Sequence, residues 1–472
     1  MVFVVASFVA TSVADPDLWG HIRFGQDILA TRTIATRDTF SFTSDQAWTN
    51  HEWLAEVAVA ALYGIAGVPG LLLLSVGAGV FSLLVSRRWL RRRGVGEPVG
   101  AGLVLALLLN ASPQLQTIRP QLFSLVLFTT LLVMLGRAER GRPRQLLWLG
   151  AVFAAWTNLH GGWIVGMGVL GTWALLAALE RRLAWGWAAA GVAAAVTGSL
   201  VNPYGWGLWR FLWDTVGIGR ADISEWQPVP SEPIIVGLWA AVAVVVVIAW
   251  RRRRASDLHA FVPVALLGLM TLKVIRLEPF FALAAVMLVG PMLAGLGPDR
   301  FPLSRLPSRA ELMIVGVVSA VALAAYLGLA GRTAACLPIS AETFAPEAES
   351  LGFAEQNHLA GRMVTWFDYG EYAIWHLSPG ILVSYDGRRE TVYSKKVIQA
   401  HLRFYNGKDP GYAQRLGADY VWVPSRLPVA GKLTKAGWTS IFRGSKSQIF
   451  AWRPGHYEQV GPVPGPRCFP GP

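Results

Sequence analysis

Along the first two thirds of the chain, long apolar runs alternate with short polar breaks. The runs fall near 1–14, 68–86, 98–112, 121–136, 145–159, 163–179, 184–201, 232–250, 257–272, 279–296 and 311–330. A helix needs about 20 apolar residues to cross a bilayer, and the pattern predicts about eleven transmembrane helices. The first run lacks a basic n-region and a clean small-residue cleavage site before Asp15, so it reads as a retained span rather than a signal peptide. Residues 52–65 read as an amphipathic helix lying on the membrane ahead of the second span. From about residue 332 the composition becomes mixed. Strand-like runs at 362–366, 381–385 and 420–424, with helical stretches at 369–377 and 396–404, predict a small α/β domain. The chain thus divides into a transmembrane domain, 1–331, whose first outer loop is 15–67, and a soluble domain, 332–472.

Composition supports a membrane protein. Hydrophobic residues make up 53% of the 472 and charged residues only 15%, against about 25% in soluble domains. The net charge is +13, and its distribution gives it meaning. Arginines cluster at Arg87–Arg93, Arg137–Arg144, Arg181–Arg182, Arg251–Arg254 and Arg300–Arg309. With eleven spans and a cytoplasmic N-terminus, all five clusters lie in cytoplasmic loops, as the positive-inside bias requires. Basic residues spread over separate loops form no patch for nucleic acid. The chain is expected in a bacterial inner membrane, with its C-terminal α/β domain extracytoplasmic. Cys336 and Cys468 both fall in that domain. An oxidising compartment permits a disulfide there, and two separate thiols fit the sequence equally well.

Polar and punctuating residues gather in the outer loops. Asp15-Pro16-Asp17 stands just beyond the first span. Two carboxylates at this spacing can bind a divalent cation (Mg2+ or Mn2+) or act as a base, and they can equally be a solvated helix cap. Asn50-His51-Glu52-Trp53 closes the same loop. His51 and Glu52 suit orienting an acceptor or completing a metal site, and interfacial anchoring by Trp48 and Trp53 is the alternative. Arg119, between two spans, calls for an anion, which a phosphate or a first-loop carboxylate would supply, and snorkelling to the outer headgroups is the equal alternative. Asn158-Leu159-His160-Gly161-Gly162, Asn202-Pro203-Tyr204-Gly205 and Arg276 complete the outer set. They are candidate substrate contacts, with turns and helix stops as the plainer alternative. There is no P-loop and no G-x-S-x-G.

Taken together, D-P-D-L-W-G-H, D-T-F-S-F-T, W-T-N-H-E-W-L-A-E-V, N-L-H-G-G-W, N-P-Y-G, S-E-W-Q-P, W-F-D-Y-G-E-Y-A-I-W and Y-D-G-R resemble a group of bacterial polytopic membrane proteins. That group is similar to the GT-C superfamily of membrane glycosyltransferases. The resemblance spans nearly the whole chain. It implies sugar transfer from a polyprenyl-phosphate-linked donor to a glycan, lipid or protein acceptor at the outer face. Asp15 or Asp17 would be the base or metal ligand, and Arg119, His160 and Arg276 the phosphate contacts. Asp368 and Asp386-Gly387-Arg388 match the group but no GT-C catalytic motif, and Asp386-Gly387 reads as a turn. A lipid or sugar transporter, and a scaffold with a partner-binding C-terminal domain, are the rival functions.

Overall fold

The computed structural model describes residues 2–215, 220, 223–229, 233–253, 257–296, 331–339, 345–453 and 455–471, with isolated helical positions at 313, 317, 320, 324 and 328. The apolar run at 311–330 therefore lies almost wholly outside the described residues. Contacts divide the chain into two compact units. One comprises Met1–Thr11, Leu72–Gln116 and Pro120–Gly331; the other comprises Ser12–Leu71, Thr117–Arg119 and Arg332–Pro472.

The first unit is helical. Each apolar run within the described residues forms a helix, but their lengths differ. Among the described residues five are long and apolar enough to cross a membrane: Trp53–Arg92, Glu97–Leu115, Gln121–Ala138, Pro233–Arg252 and Ile275–Leu293. Trp163–Leu179 and Leu258–Thr271 are apolar but shorter. The remaining runs give Val2–Val9, Leu149–Leu159 and Trp185–Ser199, of 8, 11 and 15 residues. The second of these follows a 3-10 turn at Pro143–Trp148, which uses up the start of its apolar run. Gly67, with φ 59° and ψ −146°, interrupts Trp53–Arg92, so the stretch expected at 52–65 is a separate helical arm. Arg182 of one arginine cluster reaches Asp257 at 2.9 Å and Glu139 at 3.7 Å. Glu180 accepts from the backbone N–H of Leu258 at 2.6 Å, capping the next helix.

The second unit is α/β. Its strands are β1 (Gly361–Thr365), β2 (Ile381–Val383), β3 (Tyr420–Pro424), β4 (Thr439–Arg443) and β5 (Ser447–Ala451). They lie in the order β2-β1-β3-β5-β4. The first three are parallel, and β3-β5-β4 is antiparallel. The helices Gly370–Leu377 and Lys395–Tyr405 sit where sequence places them; β4 and β5 are additional.

The first loop belongs to this unit. Phe42 N–H donates to the Val383 carbonyl at 3.0 Å, and Val383 N–H donates to Phe40 at 2.9 Å, so residues 40–42 cover the edge of β2. Ala14 N–H donates to Pro338 at 2.8 Å. A disulfide joins Cys336 to Cys468. Beside it, the Pro470 carbonyl accepts from Trp19 Nε1 at 2.6 Å. Composition breaks at residue 332, whereas the contacts gather segments from both sides of that break.

Candidate active site

Asp15 and Asp17 stand at the start of the helix Leu18–Thr31, which buries Leu18, Trp19, Gly20, Ile22, Phe24 and Gly25. Proline between them stiffens the turn, and Asp15 Oδ1 accepts from the Asp17 N–H at 3.1 Å. Arg119 joins both. Its Nε lies 2.6 Å from Asp15 Oδ1 and its Nη2 lies 3.3 Å from Asp17 Oδ2. The Asp15 side chain is 7% exposed and that of Asp17 28%. Asp15 is thus the buried anchor of the guanidinium, and Asp17 is the carboxylate open to a reactant.

Three groups from the C-terminal segment meet this pair. Asp368 receives one hydrogen bond, from Trp366 Nε1 at 3.0 Å. Burial, then the negative charges of Asp17 and Asp15, push its carboxyl up to about 7 despite the hydrogen bond and Arg119. Glu371, 4% exposed, lies between two glycines. A Cβ at Gly20 would overlap its carboxyl; a Cβ at Gly387 would overlap Asp17 Oδ1 and stand 2.7 Å from Glu371 Oε1. Only glycine fits at these two positions. Burial and then the charges of Asp17 and Asp386 hold the Glu371 carboxyl well above the usual carboxylate range.

Asp386-Gly387-Arg388 is more than a turn. Asp386 takes two hydrogen bonds from the Arg388 guanidinium, at 2.9 and 2.7 Å, and one from Tyr393 Oη at 2.7 Å. Arg388 also reaches Asp38 of the first loop at 2.7 Å and stacks over Trp48 and Phe24, 4.8 and 4.9 Å from their ring centres. This buried network fixes Gly387, and so the wall behind Asp17.

His51 and Glu52 pair with one another at 3.7 Å. His21, which follows the acid pair in the D-P-D-L-W-G-H motif, faces Glu56 at 3.9 Å. Burial alone would lower its imidazole, but the Glu56 hydrogen bond and the charges of Glu52 and Asp17 raise it. Glu56 also accepts from Asn50 Nδ2 at 2.6 Å.

In the helical unit, His160 and Arg276 come together. Arg276 Nη2 lies 3.2 Å from His160 Nε2. On its other side the ring nitrogen Nδ1 accepts from the Gly162 N–H at 3.1 Å and lies 2.6 Å from Ser124 Oγ. Arg276 Nη1 lies 3.5 Å from Glu225. Asn158 donates to the Ala154 and Val201 carbonyls, both at 2.7 Å. Asn202 donates to Ser199 at 2.7 Å and accepts from the Tyr204 N–H at 2.8 Å, the geometry of a helix stop.

Among the described residues, no three His, Cys, Asp or Glu side chains are grouped to hold a metal ion. The cation between Asp15 and Asp17 is the Arg119 guanidinium.

Comparison with solved structures finds chains of similar fold. Archaeal oligosaccharyltransferase AglB from Archaeoglobus fulgidus, solved with an inhibitory peptide and a dolichol-phosphate, matches 90% of this chain and 69% of its own, at 10% identity and TM-score 0.55. ArnT from Cupriavidus metallidurans bound to undecaprenyl phosphate matches 96% of this chain and 97% of its own, at 14% identity and TM-score 0.54. Its apo form gives 95% and 96%, at 15% identity and TM-score 0.55. One neighbour was solved with a dolichol-phosphate and the other with undecaprenyl phosphate, and the resemblance read in the motifs is borne out at the level of fold. No family model and no curated protein matches the chain.

Proposed function

We propose that the protein is a membrane glycosyltransferase that moves a sugar from a polyprenyl-phosphate donor to an acceptor hydroxyl on a glycan, lipid or protein at the outer face of the membrane. The observation that carries this reading is the Asp15–Arg119–Asp17 cluster, with Asp17 open, in a chain of GT-C fold. Asp17 takes the proton of the acceptor hydroxyl. The acceptor oxygen attacks the anomeric carbon, and the bond to the phosphate oxygen breaks with inversion. The phosphate leaves with the electron pair, and Arg119 is the cation offered to it. In the helical unit His160 stands beside Arg276, at 3.2 Å.

A divalent ion, Mg2+ or Mn2+, at Asp15 and Asp17 would share their carboxylates with Arg119 and would stabilise the departing phosphate. In the same reading the chain has about eleven spans, a cytoplasmic N-terminus and an extracytoplasmic C-terminal segment. The arginine clusters support that orientation, and the Cys336–Cys468 disulfide supports an oxidising compartment for the sheet unit.

The test is transfer by the purified protein from a pool of polyprenyl-phosphate sugars. Asp17→Asn is expected to lower kcat by about 10²–10⁴-fold with the fold intact by melting temperature. Full transfer by Asp17→Asn would remove the base assignment. No transfer by wild type would favour a transporter or a scaffold.

A further inference from the structure

The W-F-D-Y-G-E-Y and Y-D-G-R motifs are not absorbed by the chemistry above, and they bring one unexplained group to it. Glu371 is 4% exposed, and among the described residues it makes no ion pair. Its Oε2 is buried without a hydrogen-bond partner. An enclosed carboxyl with an unsatisfied oxygen is costly to a fold. Packing alone would be served by an apolar side chain of similar volume, so its retention points to a task.

Its surroundings name the task. Gly20 leaves room for one side of the carboxyl, and Gly387 leaves room for Oε1 and for Asp17 Oδ1 at the same point. Gly20 lies on the helix that Asp17 opens. Gly387 lies in the turn fixed by the Asp386–Arg388 pair. Arg119 holds the opposite oxygen of Asp17, Oδ2. The Asp17 carboxylate is therefore bounded by a guanidinium on one side and by Gly387 and Glu371 on the other.

We propose that Glu371 is a positioning residue for Asp17: seated between Gly20 and Gly387, its carboxyl holds the Asp17 side chain in the orientation that meets Arg119 and leaves it open to the acceptor. This rests on the reading of Asp17 as the base. Glu371 is too enclosed to touch a substrate, and it acts through Asp17. Loss of its shape lets the Asp17 carboxylate turn into the vacated slot. Misplacing a reacting group by about 1 Å costs about 100-fold in rate.

The experiment has two arms. In the kinetic arm, Glu371→Ala should lower kcat about 100-fold while KM for the lipid-linked donor stays within about twofold, and the isosteric Glu371→Gln should recover most of the rate. Equal loss in Ala and Gln variants, or a rise in KM matching the fall in kcat, overturns the proposal. The second arm needs no activity and survives failure of the functional reading. Melting temperatures of Glu371→Gln, Asp17→Asn and the double variant form a thermodynamic cycle. Non-additive shifts are expected for two side chains that constrain each other. Shifts that add overturn the proposal even if wild type proves to be a transferase. Glu371→Gln conserves volume and keeps the cycle readable if Glu371→Ala does not fold.

Discussion

Asp15 and Asp17 stand two residues apart and do different work, because Arg119 meets Asp15 closely in a buried setting and Asp17 loosely in an open one. The sequence offered the two without choosing; burial chooses. Asp368 makes the complementary case. Its pKa of about 7 arises from burial and from sharing space with two other acids. The folded form therefore holds a proton that an unfolded chain, with a carboxyl near 4, has already lost. Between those values the folded state binds more protons, so stability falls as pH rises from about 4 to about 7. Melting curves across that range should show the slope in wild type and a flatter one in Asp368→Asn; an unchanged slope would falsify the assignment. Arg119 was legible as a residue in need of an anion, with a first-loop carboxylate among the choices, since an outer-face arginine at membrane depth needs one. Glu371 was not legible. Nothing in its neighbours along the chain announces that Gly20 and Gly387 will close around it.

The element that organises the site is the turn Asp386-Gly387-Arg388. Asp-Gly is a common turn pair, and periodicity cannot say that this one carries a buried ion pair to Asp38. The pair also explains why the first loop packs as it does: Phe24, Phe40 and Trp48 surround the Arg388 guanidinium. The charge of Arg388, with its hydrogen bonds and that of Tyr393, holds the Asp386 carboxyl below its usual range even though burial alone would raise it. That stabilisation is present above the ordinary carboxylate range and fades as acid protonates Asp386. Asp386→Asn leaves Arg388 with one carboxylate partner in place of two and should cost about 3–5 kcal/mol, read as a drop in thermal midpoint near neutral pH. Strands β2 and β3 were legible because apolar residues run unbroken there, and β1 because apolar and β-branched residues do the same at Met363-Val364-Thr365-Trp366 after Arg362. Strands β4 and β5 were not, since Thr439–Arg443 and Ser447–Ala451 mix Ser, Thr and Arg with fewer apolar positions. The apolar runs were legible as helices, but their lengths were not, because a 3-10 turn or a proline can end a helix inside an apolar stretch.

At the scale of the whole molecule, the division into units cuts across the order of the chain. The acid site draws on the first loop, on a three-residue link at Thr117–Arg119 and on the C-terminal segment. Hydropathy separates a membrane part from a soluble part, and it cannot report which loop folds with which segment. The disulfide is the covalent tie in this arrangement. It fixes the tail next to Pro470, whose carbonyl accepts from Trp19 on the helix that begins at Asp17. Cys336→Ser is expected to cost about 2–5 kcal/mol, seen as a lower melting temperature, and chemical reduction of wild type should reproduce it. A midpoint unmoved by both treatments would show that the tail is held by its other contacts.

The discontinuous make-up of the sheet unit has a consequence for how the protein is made. Synthesis delivers Asp15 and Asp17 early, while Glu371, Asp386 and Arg388 leave the ribosome only after the intervening helices. Until then the first loop has no sheet edge to cover and no arginine for Asp38 to bind. Contacts of such long sequence separation form slowly, and unfinished surfaces invite aggregation or degradation. The acid centre can therefore assemble only after the C-terminal segment has been delivered, and a product cut short before it carries aspartates with nothing to aim them. Assembly of the centre thus doubles as a check that translation reached the C-terminal segment.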